Sequence, residues 1–196
     1  MTHHHHPSCG VTASEALARL KAGNRLYVEQ AIAHGDVSDE RRHETALKGQ
    51  KPYAIVLACS DSRSIPETVF AAGIGDLFVI RVAGNVVDDH QLGSIEYAAE
   101  HLGVRLVVVL GHTHCGAVRA AIEHDPDGYV KTITDEVKAA IGDETNDAKA
   151  AALNAKAAVA VIESSLEIRD LETDEGLKVL PAILDIETGK VDFLAV

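Results

Sequence analysis

The chain has 196 residues, of which 46% are hydrophobic and 24% charged, so a globular protein with a substantial core is expected. Its formal net charge of -12 argues against a binding surface for nucleic acid or an anionic membrane, because both require clustered lysine and arginine. Apolar runs such as LVVVLG at 106–111 are far too short to span a bilayer, so we expect neither nucleic acid nor a membrane as a partner.

The cysteines and the N-terminus indicate the compartment. Cys9, Cys59 and Cys115 are odd in number and widely spaced, which is atypical of a secreted disulfide framework and favours the reducing cytoplasm. The opening MTHHHHP lacks the apolar segment of a signal peptide. We interpret residues 1–11 as a tail with a histidine run, either an inert tag or a native metal-binding tail. Residues 12–196 are then predicted to form a single domain.

The first predicted element is an amphipathic helix over residues 12–30. Thr12 and Glu15 have the spacing of a capping box, and Gly23 predicts a kink or break in the middle of this helix. Residues 31–50 are polar and lack periodicity, so they are predicted to cross the surface without regular structure.

The rest of the chain alternates between two kinds of segment. Short apolar runs without alternation predict strands buried on both faces, at 53–59, 77–82, 105–111 and 178–187. Helical patterns lie between them, at 92–102, 115–124, 130–141 and 145–168. Pro181 predicts that the last strand lies at a sheet edge. This order predicts an α/β fold with a mostly parallel central β-sheet flanked by helices, and with an N-terminal helical arm.

Three candidate metal ligands follow two of the predicted strands. Cys59 ends the first strand, and His112 and Cys115 come just after the third, at the sheet edge where ligands of parallel sheets bind. Two thiolates and one imidazole suit zinc, and three protein ligands leave a fourth position open for chemistry. His114 competes with His112, but its side chain should diverge from that of the adjacent Cys115. Alternatively, both cysteines are buried small hydrophobic residues.

Asp61 and Arg63 lie just beyond Cys59. They could form an ordinary ion pair that braces the end of the strand. Beside a metal, Arg63 would keep Asp61 ionised, and an ionised carboxylate can only accept hydrogen bonds. Asp61 would then orient an oxygen nucleophile toward its substrate.

These segments together resemble β-class carbonic anhydrases, from about Ala13 to LDIETGKV at 184–191. The matching segments are CSDSR at 59–63, GDLFVIR at 75–81, AGN at 83–85, SIEYA at 94–98 and GHTHCGAV at 111–118. The resemblance implies that Cys59, His112 and Cys115 hold one Zn²⁺ per chain. It also implies that Asp61 and Arg63 form a catalytic dyad. Implied substrate-pocket residues are Gln50, Phe78, Ala83, Tyr97 and Gly116.

The implied activity is that of a lyase, the reversible hydration of CO2 to bicarbonate and a proton. The implied assembly is a homodimer or homotetramer with a shared pocket, in which Gln50 and Tyr97 could serve the neighbouring subunit's zinc. Gln50 and the absence of tryptophan favour the open, plant-like subtype, in which water rather than Asp61 takes the fourth zinc position. Val82 and Ala83 depart from many relatives, and Ala83 would make the pocket roomier.

The same residues are compatible with three other functions. A hydrolase of carbonyl sulfide or carbon disulfide would use the same scaffold and zinc ligands. A non-catalytic zinc-binding protein would close the site with a fourth ligand from Asp61, Cys9 or the tail. A thiol-based redox or interaction module is the third alternative. Gln50, Phe78, Tyr97 and Gly116 could also be plain loop, core, interface or backbone residues.

Overall fold

The computed structural model describes residues 10–30, 34–124 and 126–195. Within these ranges the helices are α1 (Ala13–Gln30), α2 (Asp39–Lys48), α3 (Pro66–Val69), α4 (Asp89–His101), α5 (Gly116–Glu123), α6 (Val130–Ile141), α7 (Asp147–Glu163) and α8 (Leu166–Glu175). The strands are β1 (Ala54–Ala58), β2 (Leu77–Arg81), β3 (Leu106–His112), β4 (Lys178–Leu184) and β5 (Val191–Phe193). A 3₁₀ turn, Ala83–Asn85, connects β2 to α4.

The strands form one sheet in the order β2-β1-β3-β4-β5. The first four strands run parallel to their neighbours, and only β5 is antiparallel. Every residue of β1 and β3 is buried, which confirms strands covered on both faces. The predicted α/β fold with a mostly parallel central sheet is therefore confirmed.

Alternate residues of the central strands point to opposite faces of the sheet and pack into two hydrophobic layers. Val56 and Val108 point to the layer that contains Ala16 and Leu20 of α1, so the N-terminal helix packs against the sheet. Ile55, Leu57, Val107 and Val109 point to the opposite layer, which is covered by α4, α7 and α8. A third cluster groups Cys59 and Cys115 with apolar residues of α5 and α6. This third cluster surrounds the carboxyl ends of β1 and β3, where the candidate ligands lie.

The N-terminal helix confirms one detail of its prediction and contradicts another. Thr12 and Glu15 do form a capping box, since each side chain accepts the other's backbone N–H, at 2.9 and 3.3 Å. The predicted break at Gly23 is wrong, because α1 continues through it. A Cβ at Gly23 would lie 1.8 Å from the Phe70 carbonyl oxygen, so this glycine permits close packing of two backbones.

The polar segment before β1 is not irregular throughout. It contains α2, whose N-terminus is capped by Ser38 and which buries none of its residues. A helix without an apolar face carries no hydrophobic period, and for that reason the pattern of residues 31–50 did not reveal it. Residues 31–33 lie outside the described residues.

The predicted edge position of the strand with Pro181 is also wrong. β4 lies between β3 and β5, but β5 pairs only with Ala182–Leu184. The Pro181 carbonyl accepts the Leu194 N–H at 2.9 Å, so the proline nitrogen faces the side on which β5 has already ended. The missing donor therefore removes no bond from the β3–β4 ladder.

The last predicted helix is divided into two in the structure. The predicted helix at 145–168 ends at Glu163, and α8 begins after Ser165, whose side chain accepts the Ile168 N–H. Cys9 and the histidine run lie outside the described residues, so the interpretation of residues 1–11 as a tail stays a prediction, as does the single domain. Among the described residues, no helix is both long and apolar enough to cross a bilayer.

Gly23→Ala is expected to destabilise the protein by about 2 kcal/mol or more, because the added methyl meets a backbone carbonyl that cannot rotate away. Gly93→Ala in α4 is the matched control, since a Cβ there would meet no atom within 4 Å. That control should stabilise by about 0.5–1 kcal/mol, the usual gain from replacing a helical glycine. Urea unfolding of both variants measures the difference, and equal effects would contradict the close packing of α1.

Candidate functional site

The parallel pairing of β1 and β3 brings the candidate ligands together. Cys59 follows β1, His112 is the last residue of β3, and Cys115 is the N-cap residue of α5. The Cys59 and Cys115 sulfurs are 4.0 Å apart, and the ligand atoms of all three residues lie within 4.8 Å of one another. All three side chains are buried. A metal ion could be held by this group.

Hydrogen bonding prepares His112 for such a role. Its Nδ1 lies 2.9 Å from the Thr113 carbonyl oxygen, which can only accept, so Nδ1 carries the proton. The lone pair of a neutral ring is then on Nε2, which is buried and has no hydrogen-bond partner among the described residues. Metal-binding histidines are oriented in this way, by a carbonyl on the other ring nitrogen.

The separation of the sulfurs fits one tetrahedral ion rather than a disulfide. Two sulfurs each about 2.3 Å from a tetrahedral zinc lie about 3.8 Å apart, close to the distance in this structure. A disulfide would require about 2.05 Å, and both cysteines are free. The chemistry and the spacing of the donors therefore both fit a zinc ion.

The two thiols compete for a single negative charge. The hydrogen bond from Cys115 lowers the pKa of the Cys59 thiol, with help from His112 and from backbone N–H groups, although burial opposes the shift. The resulting Cys59 thiolate, together with burial, raises the pKa of Cys115. Burial alone would lower the pKa of His112, but the Cys59 thiolate and the Thr113 carbonyl outweigh it, so this pKa rises. A cation is needed to hold both sulfurs as thiolates.

Arg63 forms a bidentate ion pair with the carboxylate of Asp61. Its Nε donates to Oδ1 at 2.9 Å and its Nη2 to Oδ2 at 2.7 Å, while its backbone N–H also donates to Oδ1. This contact lowers the pKa of Asp61 well below its usual range, so the carboxylate stays ionised. Asp61 Oδ2 lies 4.0 Å from His112 Nε2, which places the acceptor beside the candidate ligands.

His112 and His114 are separated as the residue order predicts. The backbone of His114 is left-handed, with φ of 56°, and its side chain is exposed, whereas His112 is fully buried among the ligands. The His114 N–H donates to the Asp147 carboxylate at 2.7 Å, and its carbonyl accepts from Arg63 at 3.1 Å. His114 thus braces the loop through its backbone and is not part of the ligand group.

The predicted pocket residues lie in three different places. Ala83 begins the 3₁₀ turn that contacts Cys59, and Gly116 begins α5 beside Cys115, where a Cβ would meet no atom within 4 Å. The rings of Phe78 and Tyr97 are tilted by 41° with centroids 6.2 Å apart, and Tyr97 is half-exposed. Gln50 lines a surface depression with residues of α2, Ile74 and Gly75, apart from the cysteine cluster.

Three further residues, which no sequence motif marks as functional, support the site. Arg81 donates to the carbonyls of Cys59 and Asp61 at 3.0 and 2.7 Å and so holds the loop between them. The Gly84 N–H donates to the Cys59 sulfur at 3.3 Å. Asn154, in turn, donates to the Gly84 carbonyl at 2.7 Å. A polar residue on the buried face of an alanine-rich helix was the available signal for Asn154.

The chain is similar to known proteins in both sequence and fold. A family profile described as carbonic anhydrase matches residues 54–191. Carbonic anhydrase 2 of Mycobacterium tuberculosis is 46% identical over 123 residues, which cover 60% of this chain and 59% of the relative. The chain thus aligns with about three-fifths of that relative's length.

Two solved structures are similar to nearly the whole chain. One belongs to a pair of tetrameric β-carbonic anhydrases from Sordaria macrospora, with a TM-score of 0.74, 26% identity and coverage of 93% of this chain and 96% of that one. The other is the β-carbonic anhydrase CafA of Aspergillus fumigatus, with a TM-score of 0.73, 27% identity and coverage of 92% and 89%. Because the family profile spans most of the sheet and the similar structures share its fold, this chain belongs to the β class of the carbonic anhydrase family.

Proposed function

We propose that the protein is a zinc-dependent carbonic anhydrase that interconverts CO2 and bicarbonate. The observation that carries the proposal is one group of side chains: two buried sulfurs and an imidazole nitrogen lie within 4.8 Å of one another, beside a carboxylate paired with arginine. That nitrogen has no hydrogen-bond partner in the part of the chain that the structure describes. A structural zinc site would require a fourth protein ligand, whereas the group found among the described residues offers three and would leave a position open for reaction.

Cys59, His112 and Cys115 would hold the zinc ion, one per chain. Thiolate and imidazole donors are characteristic of zinc and disfavour magnesium or calcium, which prefer oxygen. When bound, zinc would lower the pKa of a water molecule, so that hydroxide is available to attack CO2 near neutral pH.

Asp61 is the residue that would orient the attack. Because Arg63 keeps its carboxylate ionised, Asp61 accepts a hydrogen bond from the attacking oxygen and cannot donate one. The proton of that oxygen is thereby directed to Asp61, and a lone pair is directed to the carbon of CO2. Arg63 would also keep Asp61 from taking the open metal position, as in the open subtype, because both carboxylate oxygens are engaged.

The substrate pocket would lie between the ligand group and a neighbouring subunit. Ala83 and Gly116 are small residues beside the cysteines, and they would leave room for CO2 or bicarbonate. Gln50 and the Phe78–Tyr97 pair would contribute from the partner in a homodimer or homotetramer, which accords with the half-exposed Tyr97 ring. Tetrameric assembly is stated for the similar Sordaria macrospora enzymes.

The absence of a secreted disulfide pattern supports a cytoplasmic location.

Stopped-flow CO2 hydration by protein with one zinc per chain tests the proposal. Fast turnover is expected near pH 8.5, together with loss of activity on chelation and recovery on adding zinc. A zinc-loaded protein that hydrates no CO2 but hydrolyses carbonyl sulfide or carbon disulfide would contradict the proposed substrate. No turnover on any of these substrates would favour a closed, non-catalytic site.

The same assay should show activity rising toward alkaline pH. The thiolates of Cys59 and Cys115 would cancel the charge of the zinc ion, so water would be acidified less than in a three-histidine site, where its pKa is about 7. Asp61 cannot cause the rise, because its lowered pKa leaves it ionised throughout this range. A rate that is flat from about pH 6 to about pH 9 would contradict this charge argument.

Arg63→Ala should lower kcat/KM by about 100-fold or more while zinc content stays near one per chain. Without the guanidinium, Asp61 is free to move toward the metal and no longer presents a fixed acceptor. Arg119→Ala is the matched control, since Arg119 pairs with Glu123 on the exposed face of α5. Unchanged activity in Arg63→Ala would overturn the assigned role of the pair.

His112→Asn should abolish retention of zinc, and His114→Asn should not. The first side chain is fully buried among the sulfurs, whereas the second is exposed and contributes through its backbone. Zinc per chain after dialysis, measured by elemental analysis, distinguishes the two variants. Equal retention by both would exclude His112 as the ligand.

A further inference from the structure

Asn154 is a buried polar residue in a helix that otherwise buries apolar side chains. The other buried residues of α7 are Ala150, Ala151, Ala155, Ala158, Val159 and Ile162. An amide in such surroundings costs roughly 1–3 kcal/mol unless it is hydrogen-bonded. The Asn154 side chain, 4% exposed, donates through Nδ2 to the Gly84 carbonyl at 2.7 Å. This hydrogen bond satisfies the buried amide and joins α7 to the 3₁₀ turn.

The turn that receives this bond has an unusual backbone. Gly84 and Asn85 both have positive φ angles, 71° and 45°, and no side chain caps the turn from within. A Cβ at Gly84 would lie 3.1 Å from the Ala117 methyl group, so α5 packs closely against the turn. Left-handed residues other than glycine cost about 1 kcal/mol or more and persist where the surroundings hold them. The amide of Asn154 is such a restraint, applied from α7.

The other side of Gly84 faces the candidate metal ligands. Its N–H donates to the Cys59 sulfur at 3.3 Å. The Cys59 sulfur thus accepts from the peptide group before the Gly84 α-carbon, and the Asn154 amide donates to the peptide group after it. A rotation of the turn that broke one contact would displace the other.

We propose that Asn154 is a positioning residue for Cys59, acting through the backbone of Gly84. By fixing the turn, Asn154 aims the Gly84 N–H at the sulfur. That N–H orients the sulfur and withdraws part of the negative charge that it would give to a metal. The inference rests on the proposed zinc site and adds to it a support that reaches the ligand from α7. Residues that support metal ligands in this manner typically change metal affinity by about 10–100-fold when replaced.

Asn24 provides a matched control in the same protein. It is likewise a buried asparagine, 6% exposed, and its amide donates to the Val69 and Gly189 carbonyls at 3.2 and 2.8 Å. Its Oδ1 accepts the Val191 N–H. These contacts join α1 to the end of α3, to the loop before β5 and to the first residue of β5, and none of them involves the cysteine cluster. Replacement of Asn24 should therefore lower stability without changing metal affinity.

The experiment compares zinc affinity in wild-type protein, Asn154→Leu and Asn24→Leu. Apo-protein competes for zinc with a chromophoric chelator, and thermal unfolding of each apo-protein is measured in parallel. We expect Asn154→Leu to weaken zinc binding about 10–100-fold and Asn24→Leu to leave it unchanged, although both unfold at lower temperature. In cobalt-loaded protein, Asn154→Leu should also shift the thiolate-to-metal absorption band, whereas Asn24→Leu should not.

The outcomes separate this inference from the proposed function. Wild-type affinity and an unshifted cobalt band in Asn154→Leu would overturn the positioning role while leaving the zinc site intact. Equal weakening in both variants would also overturn it, because general destabilisation would then be the cause. A wild-type protein that binds no zinc would instead refute the metal site itself. If Asn154→Leu does not fold, Asn154→Ala, which adds no bulk, is measured against the same expectations.

Discussion

Two buried sulfurs 4.0 Å apart are the constraint on which the site depends. Each would be a metal ligand only as a thiolate, yet the second thiolate is strongly disfavoured beside the first in a water-poor environment. The hydrophobic cluster around them, from α5, α6, α7 and the valines on either side of the 3₁₀ turn, excludes the solvent that could otherwise screen the repulsion. A proton on Cys115 relieves this conflict, and a cation bound to both sulfurs would relieve it as well. His112 Nε2, which has no hydrogen-bond partner among the described residues, could then be a third ligand.

The support for this arrangement comes mostly from main-chain groups. The Thr113 carbonyl selects the His112 tautomer, and the Gly84 N–H reaches the Cys59 sulfur. Arg81 holds the carbonyls on either side of Ser60, and Arg63 joins Asp61 to the loop that carries Cys115. Backbone groups held in a packed loop can move little, so the site is positioned before any ligand arrives. This preorganisation also explains why residues remote in sequence, such as Asn154, are connected to it.

Local sequence patterns identified the parts of the fold in which hydrophobic burial dominates. The runs around Ile55 and Val107 were recognised as strands because both faces of the sheet are covered. Helix α2 gives no such signal, because it buries none of its residues and so has no hydrophobic period. Gly23 and Pro181 are misleading for another reason, because the role of each depends on a neighbour distant in sequence. Intrinsic propensity cannot anticipate such contacts.

The candidate site likewise has features that the sequence indicates and features that only tertiary packing decides. The sequence by itself singled out the candidate residues, Cys59, Asp61, Arg63, His112 and Cys115, through residue type, position at strand ends and resemblance to a known family. Only the tertiary structure decided how they meet: the sulfur separation, the free nitrogen of His112, the grip of Arg63 on Asp61 and the link from Asn154 through Gly84. The physical reason is that ligand identity is a property of single side chains. Distance, burial and shared protons arise only when strands distant in sequence are packed side by side.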